Sequence, residues 1–154
     1  MGRAFFVVIA AGLLIGFFWP SDESAAMPVA DSERRETVLE REGNGHFYTH
    51  AKVNGRELVH FLVDTGASDV VLTVGDALRL GIPVNPRQFT VVGEGAAGPV
   101  RGVNITLDSV DVEGKRVEQV RGVVLEGSSL SLLGQSYLSR MGEVEMSGDY
   151  MVLK

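Results

Sequence analysis

Apolar and polar residues alternate along several short stretches between residues 46 and 153, and this period of two is typical of β-strands with one buried face. Residues 46–53 form the first such stretch. Asn54-Gly55 follows and predicts a tight hairpin turn, after which residues 57–63 return as a second strand. The same pattern predicts later strands over residues 69–72, 88–92, 100–107, 110–112, 117–125, 143–146 and 150–153.

Two short helices are predicted between these strands. Thr73-Val74-Gly75-Asp76 has the form of a capping box at a helix start, and Gly81 and Pro83 mark the end of that helix. A second helix is predicted over residues 135–141, with Gly142 immediately after it. Many short strands, regular turn signals and few helices predict an all-β domain, closed as a barrel or layered as a sandwich.

The first 20 residues have a different pattern. Residues 4–19 carry no charge and follow Arg3. As a helix this run is about 24 Å long, a little short of the roughly 30 Å hydrocarbon core of a bilayer. Two interpretations of this run are possible. It is either a signal peptide that is cleaved near Ser24-Ala25-Ala26 or a signal anchor that is not cleaved. The distance of that site from the apolar run favours residues 1–20 as a single transmembrane signal anchor.

The next segment, residues 21–43, is rich in Ser, Ala, Pro and charged residues and is interpreted as a tether. Within it, residues 33–42 alternate in the sign of their charge and predict a short solvated helix. Residues 44–154 are then the folded domain.

Composition excludes several classes of function. The chain of 154 residues has no cysteine, which excludes thiol catalysis, cysteine zinc sites and disulfides. A net charge of −6 and the lack of a Lys/Arg run argue against nucleic-acid binding. His46 and His50 would lie about 13 Å apart along one strand, too far to share a metal ion, so no metal or other cofactor is expected.

The most informative stretch is Phe61-Leu62-Val63-Asp64-Thr65-Gly66-Ala67-Ser68. An apolar strand delivers one carboxylate, Asp64, into a tight turn of small residues, and a second apolar strand leaves that turn. Gly66 permits the close approach of another backbone or of a ligand, while Thr65 and Ser68 supply hydroxyl groups. A solvated Asp in an ordinary β-turn is the simpler interpretation, but apolar strands on both sides favour an active-site loop.

Leu132-Leu133-Gly134, followed by the second predicted helix, is the supporting motif. Together, these two motifs make the chain resemble the bacterial membrane-anchored retropepsin-like aspartic proteases over residues 43–154. The resemblance implies a single-lobe β-barrel, an endopeptidase acting on protein or peptide substrates, and a membrane anchor with the domain in the periplasm. The positive Arg3 on the inner side of a bacterial inner membrane agrees with that orientation.

The resemblance also implies the roles of individual residues. Asp64 would be the catalytic carboxylate, with Thr65 and Gly66 completing its loop. Substrate would contact the loop and a glycine-rich flap at residues 92–99, through Ala67, Ser68, Gly93, Glu94, Gly95 and Ala96. Leu132, Leu133 and Gly134 would support the loop from behind. Many family members have an Asn-Gly in the flap tip, whereas this sequence has Glu94-Gly95-Ala96-Ala97-Gly98, which departs from the family's pattern at the substrate contacts.

A single Asp-Thr-Gly motif has a consequence for assembly. Peptide hydrolysis of this kind uses two carboxylates that share a proton, one acting as base and the other as acid. Because the chain has only one such motif, the second carboxylate is expected from a second copy, which makes the protein a homodimer. The alternative hypothesis is a non-catalytic periplasmic module of the same fold that binds or scaffolds peptides.

Overall fold

The computed structural model describes residues 36–95 and 98–154. The predicted anchor at residues 1–20 lies outside the described residues, as does the tether up to residue 35. None of the helices in the described ranges has the length and apolar character needed to cross a bilayer.

Short strands dominate the described part of the chain, as predicted. The elements are β1 (Thr37–Glu40), β2 (Tyr48–Val53), β3 (Leu58–Val63), β4 (Val70–Thr73), α1 (Val74–Arg79), a 3₁₀-helix (Pro86–Gln88), β5 (Thr90–Gly95), β6 (Gly98–Val112), β7 (Lys115–Leu125), β8 (Ser131–Leu133), α2 (Gln135–Met141), β9 (Val144–Ser147) and β10 (Tyr150–Leu153).

Six strands close into a barrel. Their order is β2-β3-β8-β4-β7-β6, and the end of β6 pairs back onto β2, where Val53 lies opposite Val110. Buried residues of these strands and of α2 form one core, whose largest fully buried side chains include Phe61, Leu72, Leu107 and Leu133 of the strands and Tyr137 of α2. The prediction of an all-β domain is confirmed, and closure of the sheet makes it a barrel.

The strand β8 lies between β3 and β4 and determines where the chain turns. It runs parallel to β3, with Val63 opposite Leu133, and antiparallel to β4, where Val71 lies opposite Leu132. Residues 64–69, which we call the Asp64 loop, connect β3 to β4 across the end of β8. The loop is therefore held between two strands of a closed sheet.

The helix predicted over residues 33–42 is wrong for the part that the structure describes. Thr37–Glu40 forms β1, which pairs with β10 in a second sheet of order β1-β10-β9. Thr37 and Leu39 are buried and the residues between them are exposed, so the period is that of a strand. The partner strand lies at the other end of the chain and supplies hydrogen bonds that the local charge pattern does not reveal. The folded domain thus includes residues within the predicted tether.

The predicted turns are mostly confirmed. Asn54 and Gly55 have φ values of 51° and 65°, positive as a type I′ turn requires. The break predicted between residues 107 and 110 is wrong, because exposed Asp108 and buried Ser109 continue the alternation of one 15-residue strand, β6. The strand predicted from residue 88 begins at Thr90 instead, because the preceding residues form the 3₁₀-helix.

Both predicted α-helices form. In α1 the Thr73 hydroxyl accepts a hydrogen bond from the Asp76 N–H at 3.0 Å, as in a capping box. The Thr73 N–H is satisfied by the Ser131 hydroxyl of β8 at 3.1 Å, and that hydroxyl in turn donates to Asp76. The helix start is thereby tied to the barrel. Gly142, with φ of 138°, follows α2.

Candidate active site

Asp64 is the first residue after β3 and is held by backbone hydrogen bonds. Its N–H donates to the Leu133 carbonyl at 3.1 Å, and its carbonyl accepts from the Ala67 N–H at 3.3 Å. The carboxylate oxygen Oδ1 accepts from the Gly66 N–H at 2.9 Å. Within the described residues the carboxylate has no other hydrogen-bond or ion-pair partner, so the second oxygen is open to a ligand or a neighbouring group. The side chain is half-buried.

The remaining loop residues are mostly accessible. Thr65, Gly66 and Ser68 are exposed, and Ala67 is half-buried. The Thr65 carbonyl accepts from the Gln135 side-chain amide at 3.0 Å. The loop thus presents hydroxyl groups and one carboxylate on a small, tightly bonded scaffold.

The start of α2 fixes the loop from behind. The first N–H groups of a helix have no partner within the helix, and in this barrel the Asp64 loop provides their acceptors. Gln135 N–H donates to the Ala67 carbonyl at 2.8 Å, and Ser136 N–H donates to the Ser68 carbonyl at 2.9 Å. The loop and the helix satisfy each other's backbone, which gives the loop a single geometry.

Gly134 allows this close approach. A Cβ atom at this position would lie 2.2 Å from the Asp69 carbonyl oxygen and 2.7 Å from the Ala67 carbonyl oxygen. Both contacts are far shorter than real carbon–oxygen contacts, so only glycine fits without moving the loop. The three residues predicted as support, Leu132, Leu133 and Gly134, lie in β8 and directly after it, against the loop.

Sequence reasoning missed Ser136. Its hydroxyl accepts from the Val70 N–H at 3.0 Å and donates to the Arg121 carbonyl at 2.7 Å. The side chain therefore connects the strand that leaves the loop to its neighbour β7. A serine in the first turn of a short helix carries no signal in sequence that distinguishes this role from ordinary capping.

Two apolar side chains lie on the outer face of β3 and β8, the strands that lie against the Asp64 loop. Leu62 and Leu132 are register partners and are both half-buried, whereas Val63 and Leu133 beside them face the core. Alternate residues of a strand share a face, so Asp64 follows Leu62 onto the outer face. A peptide lying against this face would meet two leucines next to the carboxylate.

The predicted flap is a β-hairpin at the end of the sheet. Among the described strands β5 pairs only with β6, and its last residue, Gly95, lies opposite Gly98. Gly93, Glu94 and Gly95 are exposed in β5, while Ala96 lies outside the described residues. A register shift between Val91 and Gly93 bends the strand before its tip.

Charged groups near the loop are engaged in local pairs. Asp69 Oδ1 lies 3.3 Å from Arg121 Nη2, within ion-pair distance although not aligned as a hydrogen bond.

Burial alone would raise the pKa of Asp76, but hydrogen bonds from Ser131 and Arg79 outweigh burial and hold that pKa below its ordinary value. Among residues 36–95 and 98–154, no group of three or more acidic or histidine side chains is arranged to hold a metal ion.

Comparison with known proteins identifies the family. The model of the gag-polyprotein putative aspartyl protease family matches residues 49–140, a range that includes the Asp64 loop, β8 and all of α2 except its last residue. The chain belongs to the retropepsin-like aspartic protease family. Its barrel is similar to the crystal structure of a retropepsin-like aspartic protease from Rickettsia conorii, with a TM-score of 0.65 and 34% sequence identity. The similarity covers 77% of this chain and 89% of that one.

Two bacterial relatives are similar in sequence. An uncharacterized protein of Rickettsia prowazekii is 38% identical over 123 residues, covering 79% of this chain and 52% of the relative. A Sinorhizobium protein encoded in the 5′ region of cobV is 33% identical over 129 residues, covering 82% of this chain and 55% of the relative. The chain thus spans about half the length of the curated relatives it matches.

Proposed function

We propose that this chain is an aspartic endopeptidase and that Asp64 is its catalytic carboxylate. The observation that carries the proposal is the Asp64 loop itself. One carboxylate stands at a fixed point on the barrel wall. Among the residues that the structure describes, it accepts a single hydrogen bond, from the Gly66 N–H, and its second oxygen is open. The family to which the chain belongs gives the reaction class, hydrolysis of a peptide bond.

The second carboxylate of the reaction comes, in this proposal, from a second copy of the chain. The single lobe contains one Asp-Thr-Gly motif, and the other Asp residue of the loop, Asp69, faces Arg121. A two-fold axis beside the loop would bring Asp64 to its own copy and would place exposed Thr65 at the same contact. Activity would then depend on the concentration of protomers.

The chemistry follows from two carboxyl groups at one point. Like charges a few ångströms apart resist double ionisation, so one group stays protonated while the other is a base. The base removes a proton from a bound water, which attacks the scissile carbonyl carbon. The protonated partner donates a hydrogen bond to the oxygen on which charge develops, and later supplies the proton that the leaving amine needs.

The substrate is proposed to be an extended polypeptide with apolar side chains beside the cleaved bond. Half-buried Leu62 and Leu132 lie side by side on β3 and β8 and would provide an apolar wall for the substrate. Exposed Glu94 in the flap would add a negative charge on the opposite side of the substrate. This charge would favour basic side chains in the part of the substrate that the flap covers.

Peptide mapping tests the proposal most simply. The full-length chain is incubated with a denatured protein mixture between pH 4 and pH 7, beside the variants Asp64→Asn and Asp108→Asn, and new peptide ends are read by mass spectrometry. Asp108 is an exposed β6 residue outside the loop and serves as a matched control. Cuts beside apolar residues that vanish only in Asp64→Asn would support the proposal. A folded, dimeric wild-type protein that makes no cuts would favour the non-catalytic peptide-binding module.

We further propose that residues 1–20 anchor the chain in a bacterial inner membrane with the domain in the periplasm. The support is the uncharged run after Arg3. Fractionation of cells, followed by protease treatment of intact spheroplasts, tests both points. A membrane-bound chain whose domain is digested from outside agrees with the proposal. Recovery of the intact chain in the cytosol, or digestion only after lysis, would contradict it.

A further inference from the structure

Two histidines meet across the hairpin that leads to the Asp64 loop. His50 of β2 and His60 of β3 are register partners in the antiparallel pairing. The Val53 N–H donates to the Glu57 carbonyl, which makes Val53–Glu57 a hydrogen-bonded pair. Because hydrogen-bonded and non-hydrogen-bonded pairs alternate, His50–His60 is a non-hydrogen-bonded pair, the kind in which Cα atoms are only about 4.5 Å apart.

The two imidazole rings are close and accessible. Their centroids are 4.8 Å apart with an interplanar angle of 30°, and both residues are exposed. Within the described residues, neither ring has a hydrogen-bond or ion-pair partner, so the ring nitrogens are available. Tyr48 also stacks on His60, at 5.1 Å, and its hydroxyl accepts from the Asn44 amide at 2.9 Å. These contacts restrict the position of the His60 ring centre before any ligand arrives.

We propose that His50 and His60 together bind one divalent transition-metal ion, such as zinc, with water completing the coordination. Imidazole nitrogens suit zinc, copper and nickel ions, and a zinc–nitrogen bond is about 2.0–2.1 Å long. Each ring centre would then lie about 3.2 Å from the ion. Centres 4.8 Å apart subtend about 97° at that point, between the square-planar and tetrahedral angles. The rings need only rotate until one nitrogen of each faces the shared ion.

The charges around the pair are mixed but favour a cation overall. His50 lines a groove together with Lys52, Asp111 and Glu113. Lys52 lies opposite Asp111 in the strand register, which compensates its charge locally. The whole chain carries a net charge of −6. On the side of His60 the neighbouring strand positions, Leu58 and Leu62, are apolar and bring no competing ligand.

The consequence for the protein is a cross-link between β2 and β3. β3 delivers Asp64 into its loop, so a metal ion shared by the two strands would stiffen the hairpin that leads to that residue. An ion that binds only the folded state raises the stability of that state by mass action. The site is separate from the catalytic carboxylate and does not depend on the proposed peptidase activity.

Titration with zinc ions tests the site. Isothermal titration calorimetry on the tag-free, full-length chain at pH 7.5 should show one zinc-binding event, and the melting temperature should be higher in the presence of zinc. His50→Ala and His60→Ala should each weaken that event by about tenfold or more, since loss of even an outer-shell partner costs about 10- to 100-fold in affinity. His46→Ala is the matched control, because His46 is an exposed histidine that precedes β2 and has no histidine partner in the strand register.

Circular dichroism without zinc checks that the variants fold. The proposal is overturned if folded His50→Ala and His60→Ala bind zinc as wild type does. An equal loss in His46→Ala would also overturn it.

Discussion

Replacing Gly134 by alanine should displace the Asp64 loop. The added Cβ would lie 2.2 Å from the Asp69 carbonyl oxygen and 2.7 Å from that of Ala67. Ordinary carbon–oxygen contacts are about 3.3–3.6 Å, so one of the two backbones must move by about 1 Å. No side chain can rotate away, because the atoms in conflict belong to the backbone of the loop.

Two magnitudes follow from this displacement. Inserting a methyl group into a filled space costs about 1–3 kcal/mol of unfolding free energy, and the rigid backbone of the loop places the expected loss at the upper end. A shift of about 1 Å in a catalytic group can reduce the rate about 100-fold. We therefore expect the peptidase activity of Gly134→Ala to fall by about that factor even under conditions where the variant is fully folded.

Urea denaturation and kcat/KM on a cleavable peptide provide the two measurements. Gly43→Ala is the control, since a Cβ there meets nothing within 4 Å and its φ is not positive. That control should change stability by no more than about 0.5 kcal/mol. If Gly134→Ala is as stable and as active as Gly43→Ala, the close packing of Gly134 against the loop does not hold Asp64 in place, and the reasoning is refuted.

Two further predictions concern the hydrogen bonds that support the site. Ser136→Ala should lower the unfolding free energy by about 1–3 kcal/mol, because the Val70 N–H and the Arg121 carbonyl lose a buried partner. Urea denaturation measures this loss. Asp76→Asn should lower stability by about 1–3 kcal/mol at pH 7. The folded-state pKa of Asp76 is below the ordinary value, so this contribution is present above about pH 4 and is lost as the pH falls through the folded pKa. Urea denaturation of wild type and of Asp76→Asn, from pH 7 down to pH 3, should show that the difference between their unfolding free energies becomes smaller.

Each of these predictions has a matched control. Ser139→Ala removes an exposed hydroxyl from the same helix and should have little effect. A loss in Ser136→Ala no larger than that in Ser139→Ala would contradict the role assigned to Ser136. Asp108→Asn alters an exposed carboxyl group and should follow wild type at every pH. If the stability difference between wild type and Asp76→Asn stays constant down to pH 3, the stabilisation does not depend on the ionised Asp76 carboxylate, and the prediction is contradicted.

Local signals predicted the features that local chemistry controls. A type I′ turn requires positive φ at two successive residues, and Asn-Gly is one of the few residue pairs that readily adopt it, as Asn54 and Gly55 do here. The Asp64 loop was predictable because its small residues lie between two apolar strands. The helix start at Thr73 depends on one side-chain hydrogen bond to a residue three positions away.

Features that depend on distant partners were not predictable in the same way. β1 is a strand because β10, more than one hundred residues later, lies beside it, whereas the local charge pattern favoured a helix. The continuity of β6 depends on Ser109, whose N–H lies 3.3 Å from the side-chain oxygen of Asn54 in another hairpin. The pairing of His50 with His60 needs the strand register, which spacing along one strand does not supply.

The central claim, that one active site uses Asp64 from two chains, is tested most directly by mixing. Wild type and Asp64→Asn are combined in denaturant at equal amounts and constant total concentration, refolded together, and assayed for peptide cleavage. If only pairs with two aspartates are active, random pairing leaves about one quarter of the wild-type activity. A remaining activity of about one half would mean that each chain acts alone and would contradict the shared site.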